Sequence, residues 1–333
     1  MPQPSSLEKP PPPFFIVGCT RSGTTLVSRI LDSHSRIAVY HESHFYPVLR
    51  ADLHRYGDLR HLPNLRRFIS DVREVVRLQG RMEPPGENEV LEALEAPTFQ
   101  GVLATMLQLY ARRQGKILAG DKTPAHHAYL SEILEKSLEA RVLFIIRDPR
   151  DTIVAIREKF GTSLNGAIWL WNDAFRSYQK FSRRVHLVRY EELVRRPEEL
   201  VRDLCVYLGK GYEPEMLRFF ERIPVWLARI PFNKDLLGPV DPRHIGSFRK
   251  MPARDIERIE AACAAGMDAM GYEFSRARPE ALAIAPPTKL ALLIDRLRFY
   301  RWNPIRWRRG WIRWKIVLRL RARYFVSFGW LRN

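Results

Sequence analysis

The chain has 333 residues, 46% of them hydrophobic and 28% charged, and its basic residues exceed its acidic ones by 18. These proportions supply a buried core and exclude disorder and fibre, and no run approaches the roughly 18 apolar residues that a membrane span needs. Cys19, Cys205 and Cys263 are too few and too scattered for a disulfide framework or a four-ligand zinc site.

In chain order, the Pro-rich start 1–13 reads as disordered. It lacks the cationic and apolar blocks of a signal peptide, which predicts a cytoplasmic chain. Phe14 to Val17 is a short apolar strand, followed by a glycine-bounded turn and a helix over Thr25 to Ser33. Further strands are expected at Arg36 to Tyr40, Ile117 to Gly120, Val142 to Ile146 and Val185 to Arg189, separated mostly by helical stretches. The pattern predicts an α/β body over 14–285. Its parallel sheet is covered by helices on both faces, and its ligands sit at the carboxyl ends of the strands. At Pro286-Pro287 the composition changes. Residues 288–333 hold 13 Lys and Arg against one acid, together with five of the eight tryptophans. After the helix start Asn303-Pro304, Trp307, Trp311, Trp314 and Leu318 recur at four, three and four residues, an aromatic stripe among basic side chains. This basic aromatic helical tail, 286–333, suits an anionic membrane surface. It predicts a peripheral attachment to the inner face of the cell membrane, ahead of nucleic acid, because the aromatics line up on one face. Ordinary packing of the stripe on the body is the structural alternative.

Two places after strands carry chemistry. Gly18-Cys19-Thr20-Arg21-Ser22-Gly23-Thr24-Thr25 follows the first strand and opens a helix. Two glycines five apart allow a tight turn whose N–H groups converge on a phosphate, giving a P-loop-like central sheet. Thr24 stands where nucleotide triphosphatases carry a lysine, and the basic residue is Arg21 inside the loop. A capped strand-to-helix turn explains the glycines and hydroxyls but not the arginine. The second place is Val142 to Asp151. Asp148 suits an N-cap, Pro149 the first helical position and Asp151 a capping role, which leaves Arg147 at the strand end for bidentate contact with a second phosphate.

Together these segments resemble the sulfotransferases that use 3′-phosphoadenosine 5′-phosphosulfate, especially the bacterial enzymes and the tyrosylprotein sulfotransferases. Thr20 to Thr25 matches that family's [PT]-[KR]-S-G-T-T loop for the 5′-phosphosulfate, and Arg147 to Asp151 its R-[DN]-P-[RK]-D segment for the 3′-phosphate. Val188 to Leu193 is similar to its R-Y-E-[DE]-L segment, and the likeness runs on through Gly246-Ser247-Phe248-Arg249 to Met270-Gly271-Tyr272. The resemblance implies a donor site built from Arg21, Ser22, Gly23, Thr24, Thr25, Arg147, Tyr190, Ser247 and Arg249. One departure stands out: Ala155 occupies the place of a family serine that also holds the 3′-phosphate. Arg150, Ser247 and Arg249 are the candidates to compensate.

Sulfuryl transfer needs a base and a cation, and unlike triphosphate chemistry it calls for no metal. His41-Glu42-Ser43-His44 follows the second strand, and Glu42 falls where the tyrosylprotein enzymes, by resemblance, carry their base. His41 and His44 are the alternatives. A polar strand end facing water is the structural reading. Gly120-Asp121-Lys122-Thr123-Pro124 resembles the family segment whose lysine neutralises the leaving phosphate, which nominates Lys122, against an ordinary turn lysine. A metal site of His41, His44, His126 and His127 fits none of the usual zinc spacings. Trp169 and Trp171 either line an acceptor pocket or belong to the core. The expected enzyme moves a sulfuryl group to a hydroxyl on a carbohydrate or glycolipid, with a tyrosyl peptide as the alternative. A nucleotide kinase, a nucleic-acid-binding protein and an inactive donor-binding relative are the competing classes.

Overall fold

The computed structural model describes residues 11–78, 83–136, 139–228, 235–286 and 288. The tail's aromatic stripe and residues 1–10 lie outside them. Five strands form one wholly parallel sheet in the order β2-β3-β1-β4-β5: β1 (Phe14–Gly18), β2 (Ile37–His41), β3 (Leu118–Lys122), β4 (Val142–Ile146) and β5 (His186–Arg189). Every residue of β1 to β4 is buried, as parallel strands covered on both faces require.

The helices in chain order are α1 (Thr24–Asp32), α2 (Phe45–Leu49), α3 (Leu62–Leu78), α4 (Glu87–Ala93), α5 (Phe99–Arg113) and α6 (Leu130–Lys136). They continue as α7 (Pro149–Phe160), α8 (Leu164–Phe181), α9 (Tyr190–Arg195), α10 (Pro197–Tyr207), α11 (Val225–Ala228) and α12 (Ala253–Met270). Alternation along the strands sorts their side chains onto two cores. Phe15, Val17, Tyr40 and Phe144 pack with α3, α5, α7, α8 and α12, while Phe14, Ile16, Val39 and Ile145 pack with α1, α9 and α10. Trp171 joins the first core, stacked on Phe175 with ring centroids 5.2 Å apart, and is no pocket wall. Among the described residues, no helix is long and apolar enough to cross a membrane.

The expected strands are all present, with one informative shift. β3 runs on through Asp121 and Lys122, beyond the strand end expected at Gly120. Lys122 pairs in register with His41 of β2 and Ile16 of β1, so both neighbours hold it in the sheet despite its charge.

Candidate active site

Strands β1 and β4 are neighbours, pairing Val17 with Phe144 and Gly18 with Ile145, yet the chain leaves them in opposite directions across the sheet. A crevice opens at such a switch point. The loop after β1 enters it on two glycines. Gly18 (φ +145°) lies so close to β4 that a Cβ would sit 2.3 Å from the Ile145 carbonyl oxygen, and a Cβ on Gly23 (φ +99°) would meet the Tyr190 ring at 2.5 Å. Arg21 between them adopts φ 69°, a left-handed conformation costing a non-glycine residue about 1–3 kcal/mol, of a kind that clusters at ligand sites.

Arg147 leaves β4 beside this loop. Its guanidinium stacks 4.4 Å from the Tyr190 ring centroid, donates from Nη2 to the His244 carbonyl at 2.7 Å and lies 3.5 Å from the Arg21 carbonyl. Burial, and then the nearby Arg147 charge, hold the Arg21 guanidinium below its ordinary pKa. The Nε atoms of both arginines are buried and have no hydrogen-bond partner among the described residues. Two like charges drawn together with donors unmet make a place for anionic oxygens.

Other expected donor residues divide by what their side chains touch. The Ser22 hydroxyl turns inward to the Cys19 carbonyl (2.6 Å) and the Ile145 carbonyl (3.3 Å), so it braces the loop. Thr25, at the start of α1, accepts from Lys122 Nζ at 3.3 Å, and Thr24 is buried. Tyr190 is a buried platform between Gly23 and Arg147. Ser247 donates to the His244 carbonyl at 3.0 Å, while exposed Arg249 folds over Gly246. Arg150 is committed elsewhere. It pairs with Asp148 at 2.7 Å and Glu260 at 2.7 Å in a buried triad, which leaves Ser247 and Arg249 as the candidates to compensate for Ala155. Asp148 caps α7 as expected, accepting from Arg150 N–H at 2.8 Å. Asp151 does not take the capping role expected of it. Its carboxylate accepts from the backbone N–H groups of Gly246 (2.8 Å) and Phe248 (3.0 Å), pinning the 246–249 turn beside Arg147.

Across β1, the ends of β2 and β3 bring the second group together. Lys122 is fully buried, and its Nζ donates to Glu42 Oε1 at 2.7 Å and lies 3.4 Å from His41 Nε2. The other Glu42 oxygen is 3.4 Å from His44 Nε2, and both side chains reach solvent. Glu42 and His44 are left-handed, with φ 59° and 51°. Lys122 thus bridges the phosphate-type loop, through Thr25, and the carboxylate. The solvent-open carboxylate offers an oxygen that can accept a proton, and the buried ammonium offers a cation to meet developing negative charge. The four histidines do not converge: His41 is at Lys122, His44 at Glu42, His126 at Asp121 and His127 at Ser177. Among the described residues, no group of three or more His, Cys, Asp or Glu side chains is placed to hold a metal ion. The residues beneath this group, Asp121, Ser43 and Thr123, had no role in the sequence reading, because nothing local shows that residues nearly eighty apart will meet.

Comparison with known proteins follows the same lines. The profile of the sulfotransferase family matches residues 12–214. A protein-tyrosine sulfotransferase of Drosophila melanogaster is 25% identical over 280 residues, covering 79% of this chain and 52% of the fly protein. An uncharacterized protein of Aquifex aeolicus (strain VF5) is 25% identical over 233 residues, 66% of this chain and 28% of that one. The chain therefore spans about half or less of these curated relatives. Among solved structures, the sulfotransferase domain of the Synechococcus PCC 7002 olefin synthase superposes with a TM-score of 0.52 at 22% identity, covering 81% of this chain and 98% of the domain. That likeness is one of fold.

Proposed function

Because the chain belongs to the sulfotransferase family, we propose that it moves a sulfuryl group from 3′-phosphoadenosine 5′-phosphosulfate to a hydroxyl acceptor. The observation that carries this reading is the meeting of Arg21 and Arg147 in one crevice, with buried donors unmet. Arg21, Gly23, Thr24 and Thr25, braced by Ser22, would hold the phosphosulfate end. Arg147 on its Tyr190 platform, with Ser247 and Arg249, would hold the 3′-phosphate. The acceptor oxygen bonds to sulfur as the bridging S–O bond breaks, and its proton passes to Glu42. Lys122 and Arg21 meet the charge that builds on the departing phosphate oxygen. His44, 3.4 Å from the Glu42 carboxylate, and His41, 3.4 Å from Lys122 Nζ, are the alternative bases.

The basic tail supports a carbohydrate or glycolipid presented at an anionic membrane surface, and the likeness to the fly enzyme supports a tyrosyl peptide as the second reading. Radiolabelled transfer to a panel of glycans, glycolipids and acidic tyrosyl peptides separates the two. Co-sedimentation with anionic vesicles, lost on removal of 288–333, tests the membrane surface. The donor is tested by calorimetric titration with adenosine 3′,5′-bisphosphate and ATP. The bisphosphate is expected to bind saturably and to weaken at least about 100-fold in Arg21→Ala and Arg147→Ala, since each removes a charge-assisted contact in a buried setting. Preference for ATP overturns the assignment. Glu42→Gln is expected to lose transfer by about 10²–10⁴-fold with bisphosphate affinity retained.

A further inference from the structure

Below the Glu42–Lys122 pair lies a layer of polar side chains that the proposed chemistry does not use. Asp121 is completely buried on β3. Its Oδ2 accepts from the Ser43 hydroxyl at 2.6 Å and its Oδ1 from the Ser43 N–H at 3.2 Å. Thr123 donates to the same carboxylate at 3.1 Å, and its oxygen accepts from the His44 N–H at 3.3 Å. Asp121 therefore grips Ser43 twice and His44 through Thr123. The two left-handed residues, Glu42 and His44, flank the residue held twice.

This arrangement decides where Glu42 points. Tyr40 pairs with Asp121 and His41 with Lys122, and an extended continuation of β2 would put Glu42 on the Tyr40 face, opposite His41. The left-handed turn instead brings the Glu42 carboxylate to the Lys122 ammonium, on the His41 side. Such backbone conformations persist only where surroundings over-determine them, and those surroundings include the Asp121 hydrogen bonds together with the Glu42 N–H, which donates to the Lys122 carbonyl at 2.7 Å. Retaining a buried carboxylate is costly in itself, since burial pushes Asp121 up to about 6, and burial holds neighbouring His126, 3.2 Å away, in its neutral form. A group kept in the interior against that cost, holding Ser43 by its hydroxyl and its N–H and holding the His44 N–H through Thr123, acts on the 42–44 turn.

We propose that Asp121 is a positioning residue: through Ser43 and Thr123 its carboxylate fixes the left-handed turn that aims Glu42 at the acceptor hydroxyl. The proposal rests on Glu42 as the base of the reaction above. Crystal structures of the wild type and Asp121→Ala test the turn without any acceptor. Glu42 is expected to leave φ near +60° and its carboxylate to move away from Lys122 Nζ. Persistence of both in the variant overturns the proposal. Thr123→Val, which keeps the side chain's shape, is the second variant should Asp121→Ala fold poorly, and it is expected to release His44. With the best acceptor of the panel, Asp121→Ala is expected to lower kcat at least 30-fold, with bisphosphate affinity unchanged within threefold. In a Glu42→Gln background the same change is expected to cost less than threefold. Asp121→Asn, which keeps one oxygen for the Ser43 N–H, is expected to recover most of the rate. An equal loss in both backgrounds assigns Asp121 a general structural role. Failure of the wild type to bind the bisphosphate removes the donor reading but leaves the structural result on the turn intact.

Discussion

The two halves of the candidate site are built on opposite plans. At the β1/β4 crevice the geometry comes from backbone: glycines at 18 and 23 let the chain pass within contact of Ile145 and Tyr190, and arginine donors are left unmet. At the β2/β3 end the geometry comes from side chains, which bond to one another through Lys122, Glu42, Asp121, Ser43 and Thr123. The contrast matches the proposed division of labour. A site that holds anions needs donors spared from internal bonds, whereas a site that moves a proton needs groups locked in orientation by mutual contact.

The largest expected effect tests the crevice half. Arg150→Ala strips the counter-charge from buried Asp148 and Glu260, the cap and support of the helix after Arg147, and is expected to cost about 3–5 kcal/mol in chemical denaturation. Gly23→Ala combines left-handed strain with a clash against Tyr190. A loss of about 2–4 kcal/mol is expected, accompanied by loss of bisphosphate binding, and a variant of wild-type stability and affinity breaks the backbone account.

The other half differs in its pH behaviour. Burial raises Asp121 from the unfolded value near 3.8 to about 6, so the folded chain holds this proton more tightly. The resulting stabilisation is complete below about pH 4 and is lost as pH rises through about 6. Asp121→Asn has no such dependence, and urea unfolding is expected to show it gaining on the wild type by on the order of 2–3 kcal/mol between pH 4 and pH 7. A constant difference across that range breaks the account. Thr123→Val is the mildest change, with an expected loss of about 1 kcal/mol for one buried hydrogen-bonding hydroxyl.

Much of this was legible beforehand for a physical reason that differs by residue. The β1 loop was readable because its glycines and hydroxyls act within eight consecutive positions, and Asp148-Pro149 because an N-cap is a local device. Asp151 was misread for the same reason. Three residues from a cap it looked like part of one, and only the folded chain brings Gly246 and Phe248 to it. Ser22 read as a ligand group, but the close approach of β4 turns its hydroxyl inward. Lys122 was nominated from a segment expected to follow a strand ending at Gly120, and pairing with strands on both sides carries the strand through it despite its charge.

Taken alone, the sequence determined the strands, the phosphate-type turn and the residues with chemistry to offer, because hydrophobic period, glycine placement and capping act over a few neighbouring positions. The tertiary structure decided which of those residues meet. Asp121 reaches Ser43 across 78 positions and Asp151 reaches Gly246 across 95, contacts that exist only once strand order and register are set. Hydrogen bonds demand ångström-scale alignment, and the chain between such partners carries no local signal of it.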